Sequence, residues 1–110
     1  MIPPREWERR RVPRFDVDVS VKLQVPDSAQ EITGTCKNVS TGGMLCFVST
    51  LPASGRELRF AVRLPADTLL ATPGLLRGLG SVVRVYPGGG EQIGLGILFE
   101  TAEFEAEKNF

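Results

Sequence analysis

Two groups of residues in this chain have the types and spacing to hold a small anionic ligand. Near the N-terminus, Arg10 and Arg14 are spaced Arg-x-x-x-Arg, with Arg9 and Arg11 beside Arg10. Arginine carries a planar fork that pairs bidentately with phosphate or with the O6/N7 edge of guanine, and its face stacks on aromatic bases. Lysine offers only a point charge, and the first fifteen residues contain none. An all-arginine segment favours a purine-and-phosphate ligand over diffuse attraction. The second group is Asn38-Val39-Ser40-Thr41-Gly42-Gly43, an Asn-x-Ser-x-x-Gly run. Asn38 offers one acceptor and two donors, enough to read a base edge, and Ser40 adds a hydroxyl. Gly42 and Gly43 permit positive φ and let a ligand approach the backbone closely. Taken singly, each group also has an ordinary reading: a solvated basic arm, and a hairpin turn built from favoured turn residues.

Other chemistries find little support. The chain has no histidine, the commonest general base and metal ligand. Cys36 and Cys46 lack the Cys-x-x-Cys spacing of a zinc site. They flank the Asn38–Gly43 turn, could be cross-strand neighbours, and are expected to be buried thiols. Asp16 and Asp18, alternate residues of a strand, could hold a cation, though a solvated strand face accounts for them better. Gly88-Gly89-Gly90 has neither the lysine nor the following helix of a phosphate-binding loop. The expectation is a binding protein with no catalytic residues, no metal and no cofactor.

Charge is unevenly spread. The first fifteen residues carry five arginines against Glu6 and Glu8, a net +3, so in a chain of formal charge zero the remainder carries −3. A basic arm on an acidic body suits a local anionic partner, not DNA or RNA bound across a whole surface. No run approaches the roughly 20 apolar residues of a membrane span, and charges at the extreme N-terminus replace the apolar core of a secretory signal. A cytoplasmic protein is expected, monomeric or weakly dimeric.

These groups need a scaffold, and 110 residues allow one domain with a modest core. Residues 1–14, with Pro3, Pro4 and Pro13, read as a flexible arm. From Phe15 the pattern is of strands. Phe15, Val17, Val19, Val21, Leu23 and Val25 alternate with polar residues, the period of a half-buried strand. Further strands are expected over residues 31–39, 44–48, 58–64, 80–86 and 92–99, separated by Gly- and Pro-rich turns. Residues 66–71 could form one helical turn. Six short antiparallel strands predict an all-β, nearly closed barrel over residues 15–99, because closure removes exposed edges. The segment 100–110, rich in helix formers, is expected to be a short helical tail that caps one end through Phe104.

The ordered pair of motifs on this strand pattern resembles the PilZ family, whose hallmarks are an N-terminal Arg-x-x-x-Arg and a later (Asp/Asn)-x-Ser-x-x-Gly on a six-stranded barrel. The resemblance extends to Gly80-Ser81-Val82-Val83-Arg84-Val85 and Ile93-Gly94-Leu95-Gly96-Ile97-Leu98-Phe99, covering about residues 9–99. It implies a receptor for the bacterial second messenger cyclic di-GMP. Arg10 and Arg14 would contact phosphates and guanine, Asn38 and Ser40 would hydrogen-bond a guanine edge, and Gly43 would give clearance. Arg9 would help to neutralise a stacked, intercalated pair of ligands. The arm would order on binding and expose a surface to a protein partner in motility, biofilm or exopolysaccharide control. Asn38 stands where the family more often has aspartate, which removes a charge that would accept from guanine N1 and N2. Two other readings compete: a PilZ-like interaction adaptor that has lost the nucleotide, and an OB-like barrel for single strands. The second wants surface aromatics, for which only Trp7 and Tyr86 stand out.

Overall fold

The computed structural model describes residues 15–26, 28–52, 57–66 and 73–107. Arg9, Arg10 and Arg14, and most of the 66–71 segment, lie outside them. Six strands follow in order: β1 (Phe15–Gln24), β2 (Glu31–Val39), β3 (Gly43–Val48), β4 (Glu57–Leu64), β5 (Gly74–Pro87) and β6 (Ile93–Ala106). They close into an antiparallel barrel in the order β1-β2-β3-β6-β5-β4. Among the described residues no helix is long and apolar enough to cross a membrane.

Alternation dictates which face goes inside. On β1, Val21 and Leu23 are fully buried while Lys22 and Gln24 are exposed. On β4, Leu58, Phe60, Val62 and Leu64 point inward between exposed Glu57, Arg59 and Arg63. Each such side chain contributes about 1.5–3 kcal/mol of burial. Phe60 and Phe99 stack across the interior with ring centres 4.6 Å apart. A barrel this narrow is filled by its own side chains.

The C-terminal segment departs from expectation. In place of a helical tail beginning near residue 100, β6 continues as strand to Ala106, and β5 starts at Gly74, six residues before the expected Gly80. The two extensions pair from Gly74↔Ala106 to Leu79↔Thr101. The Leu79 amide donates to Thr101 Oγ1 at 3.1 Å, and Phe104 packs on the core. Gly78 and Gly74 permit the approach, since a Cβ on either would overlap the β6 backbone. Helix propensities of Ala and Glu amount to tenths of a kcal/mol per residue, and a complete ladder partner outweighs them.

Cys36 and Cys46 are register partners on β2 and β3, as their flanking positions suggested, and both are fully buried free thiols. Burial pushes the Cys36 thiol up to about 11, tempered by the hydrogen bond it makes to the Asn38 carbonyl. Burial, with charge repulsion from Cys36, pushes Cys46 up to about 12. The folded chain therefore holds both protons at pH values where unfolded thiols, titrating near 9.0, release them. Their contribution to stability is complete below pH 9 and falls as pH rises from there toward 11–12. Urea unfolding should show this decline, and a Cys36→Ala/Cys46→Ala variant should show less of it. An alkylating reagent at neutral pH should label neither thiol until the chain unfolds.

Candidate functional site

β2 ends where the Asn-x-Ser-x-x-Gly run begins, and the run forms the hairpin into β3. The Ser40 amide donates to the Gly43 carbonyl at 2.9 Å, and the Gly42 amide donates to Ser40 Oγ at 3.1 Å. Ser40 Oγ–H points back to the Gly43 carbonyl at 3.4 Å. From the next strand, the Phe99 amide donates to the Gly42 carbonyl at 2.8 Å. Ser40 is nearly buried, so its hydroxyl holds the turn together and presents little of itself to solvent. The turn is fixed from both sides.

Asn38 faces out because β2 is irregular. Ile32 and Cys36 point inward, and strict alternation would send Asn38 into the core after them. Register shifts fall between Cys36 and Asn38 against β3, and opposite the same segment between Asp16 and Val19 against β1. Against β3 the extra residue is Lys37 itself, whereas against β1 it lies on β1, where Val17 and Asp18 stand opposite Lys37 alone; the extra step in β2 gives the inward position to Val39. Bulges re-aim side chains in this way beside functional sites. The half-buried Asn38 side chain makes no hydrogen bond among the described residues.

Its neighbours follow from register. Asp16 of β1 is directly opposite Asn38, Leu45 of β3 lies on its other side, and Gly96 and Arg84 continue the row across β6 and β5. The outer surface thus carries a strip, Asp16–Asn38–Leu45–Gly96–Arg84. Gly94 and Gly96 keep its middle low, with Phe47 and Tyr86 leaning over the first and Tyr86 and Arg84 beside the second. Of this row, sequence reasoning had marked Asn38 as a ligand group and Asp16 only as half of a possible cation pair. The Asp16–Asp18 pair considered as a cation site is divided, because Asp18 pairs with Lys37 at 3.1 Å and Asp16 faces Asn38. No cluster among the described residues could hold a metal ion. A shallow depression of about 370 Å³ next to Asp18, Thr35 and Phe47 contains none of the motif residues.

Two expectations about the glycines need correction. Neither Gly42 nor Gly43 has positive φ; among the described glycines only Gly90 does, at 64°, in the β5–β6 turn. Gly43 also does not leave room for a ligand, because the place of its missing Cβ is taken by the Ile97 carbonyl of β6. Gly42 is the open one, with nothing within 4 Å of an added Cβ. Gly43→Ala should therefore destabilise the ligand-free barrel by about 1–3 kcal/mol, seen as a lower urea midpoint at unchanged slope. Gly42→Ala should stay within about 0.5 kcal/mol of the native chain. Equal effects of the two would contradict this assignment.

The PilZ domain family model matches residues 8–109. No curated protein matches the chain. Among solved structures, the Bacillus subtilis inhibitor of motility MotI/DgrA superposes with a TM-score of 0.68 at 24% identity, over 93% of this chain and 49% of that one. The chain thus spans about half the length of that protein. The PilZ domain of Escherichia coli YcgR, solved with c-di-GMP, superposes with a TM-score of 0.56 at 19% identity, over 84% of this chain and 78% of that one. The structural likenesses bear out the six-stranded barrel, and with the family model spanning almost its whole length this chain belongs to the PilZ domain family.

Proposed function

We propose that this protein is a cyclic di-GMP receptor that acts in the cytoplasm through a protein partner. The observation that carries the reading is the β1–β2 register. Phe15, peptide-bonded to Arg14, pairs with Val39, in the middle of the Asn38–Ser40 segment. The first motif thus ends one peptide bond from a residue that pairs within the second, although 23 residues of sequence lie between Arg14 and Asn38. The arginines bring forks for phosphate and for the guanine O6/N7 edge, and the outward Asn38 amide reads a base edge. Membership of a family of cyclic di-GMP receptors supports the same ligand, as does the nucleotide bound to the YcgR domain.

Ordering residues 1–14 over the ligand costs about 1–2 kcal/mol for each residue fixed. Charge-assisted hydrogen bonds to phosphate and guanine offset that cost. Arg9 adds a cation suited to the four phosphates of an intercalated ligand pair. Ligand binding and arm ordering are then linked, so the surface offered to a partner changes with messenger concentration.

Calorimetric titration tests this. Cyclic di-GMP should release heat with the native chain, while GTP and a short oligonucleotide should not compete. An Arg10→Ala/Arg14→Ala variant should lose binding by at least about 100-fold, since each fork contributes roughly 1.5–3 kcal/mol. Arg9→Ala should lower the ligand-to-protein ratio from two to one. Absence of heat with the native chain would reject the reading in favour of an adaptor without a nucleotide.

A further inference from the structure

We infer that Asp16 supplies the carboxylate that reads guanine, working as a pair with Asn38; this rests on the cyclic di-GMP reading above. Asp16 and Asn38 are register partners on the outer face of β1 and β2, and directly opposed residues of an antiparallel pair hold their Cβ atoms about 4.5–5.5 Å apart. Asp16 is exposed, and it has neither ion pair nor hydrogen bond among the described residues. Its neighbour Asp18 is already engaged by Lys37 at 3.1 Å. Asp16 is thus the acidic group left open beside the amide.

The chemistry of guanine matches this pair. Its Watson–Crick edge presents two donors, N1–H and N2–H, beside one acceptor, O6. A carboxylate only accepts, and with two oxygens it can take both N–H groups. The Asn38 amide donates to O6. Neither side chain alone supplies the whole complement with charge. Adenine presents a donor where guanine has O6 and a lone pair where guanine has N1–H, so the same pair opposes it. The pair therefore selects guanine over adenine.

The arrangement also explains why position 38 is amide and not acid. An aspartate there would lie directly opposite Asp16, and like charges so placed destabilise a strand pair. One carboxylate is sufficient, and here it stands across the ladder at Asp16. The strip on which it lies continues through Leu45 and the low Gly96 to Arg84, so a base set against Asp16 and Asn38 rests on carbon and backbone.

A charge-exchange experiment tests the assignment. Cyclic di-GMP is titrated into the native chain, Asp16→Asn, and Asp16→Asn/Asn38→Asp, with cyclic di-AMP as the comparison ligand. Asp16→Asn should weaken cyclic di-GMP binding roughly 10- to 100-fold, the value of a hydrogen bond to a charged group, and narrow the preference over cyclic di-AMP. The exchange variant should return to within about threefold of native affinity. Thermal unfolding of all three should agree within a few degrees, because both positions lie on the outer face. If Asp16→Asn binds as the native chain does, or the exchange fails to recover affinity, the inference is overturned. In either case the receptor reading stands if the native chain binds and Arg10→Ala/Arg14→Ala does not. A native chain that binds neither dinucleotide overturns both.

Discussion

The site depends on how β1 and β2 are paired. From Phe15↔Val39 to Gln24↔Glu31 this ladder sets which residues meet across it and which face each side chain takes. Side-chain direction alternates along a strand, so a slip of one residue would turn Val21 and Leu23 outward and Lys22 inward. Burial of Val21, Leu23, Ile32 and Cys36 makes such a slip prohibitive. The same register sets Asp16 against Asn38 and joins the residue after Arg14 to the Asn38–Ser40 segment. Core packing and the geometry of the candidate site are consequences of one pairing.

The irregularity at Lys37 sets the direction of Asn38. It lets β2 keep Cys36 and Val39 inside while Asn38 turns out, which no unbroken strand could do with these residues in this order. The cost of a locally disrupted ladder is limited by what surrounds it. Cys36 donates to the Asn38 carbonyl at 3.4 Å, and the turn beyond is tied to itself and to Phe99 of β6. The turn is consequently organised before any ligand arrives, and the conformational entropy of binding falls on other groups.

Much of this architecture could be read from the sequence where one face of a strand is wet and the other dry. Residues 15–25 and 58–64 announce themselves by period two, and the Cys36–Cys46 pairing follows from their places either side of a short turn. Three things could not be read so. The Lys37 irregularity leaves no trace in nine residues whose polar and apolar members are already mixed. The strand at Thr101–Ala106 is hidden because Thr, Ala and Glu carry mild or helical preferences, and its cause is the distant Gly74–Leu79 partner. The glycines misled in another way, since composition reports that a side chain is missing but not what fills its place. At Gly43 the occupant is the neighbouring backbone. The arginines lie outside the described residues, and the register reaches only to Phe15, the residue bonded to Arg14.

That the candidate site lies on the outside is itself a consequence of size. A six-stranded barrel has no interior left once Leu58, Phe60, Leu95 and their neighbours are packed, so a ligand cannot be held within it as larger barrels hold theirs. The available surfaces are the two ends and the outer face, where solvent competes for every hydrogen bond. Specificity there requires groups held in fixed register and an anion-binding segment that can cover the ligand from above. The pairing of β1 with β2 meets the first requirement, and in the proposed receptor the arginines would meet the second. The pairing presents an amide and a carboxylate side by side on a rigid ladder, and it starts where the arginine segment ends. In the proposed receptor, binding outside the barrel would leave the core undisturbed, so a ligand would change the outer surface without altering the packing that holds the fold.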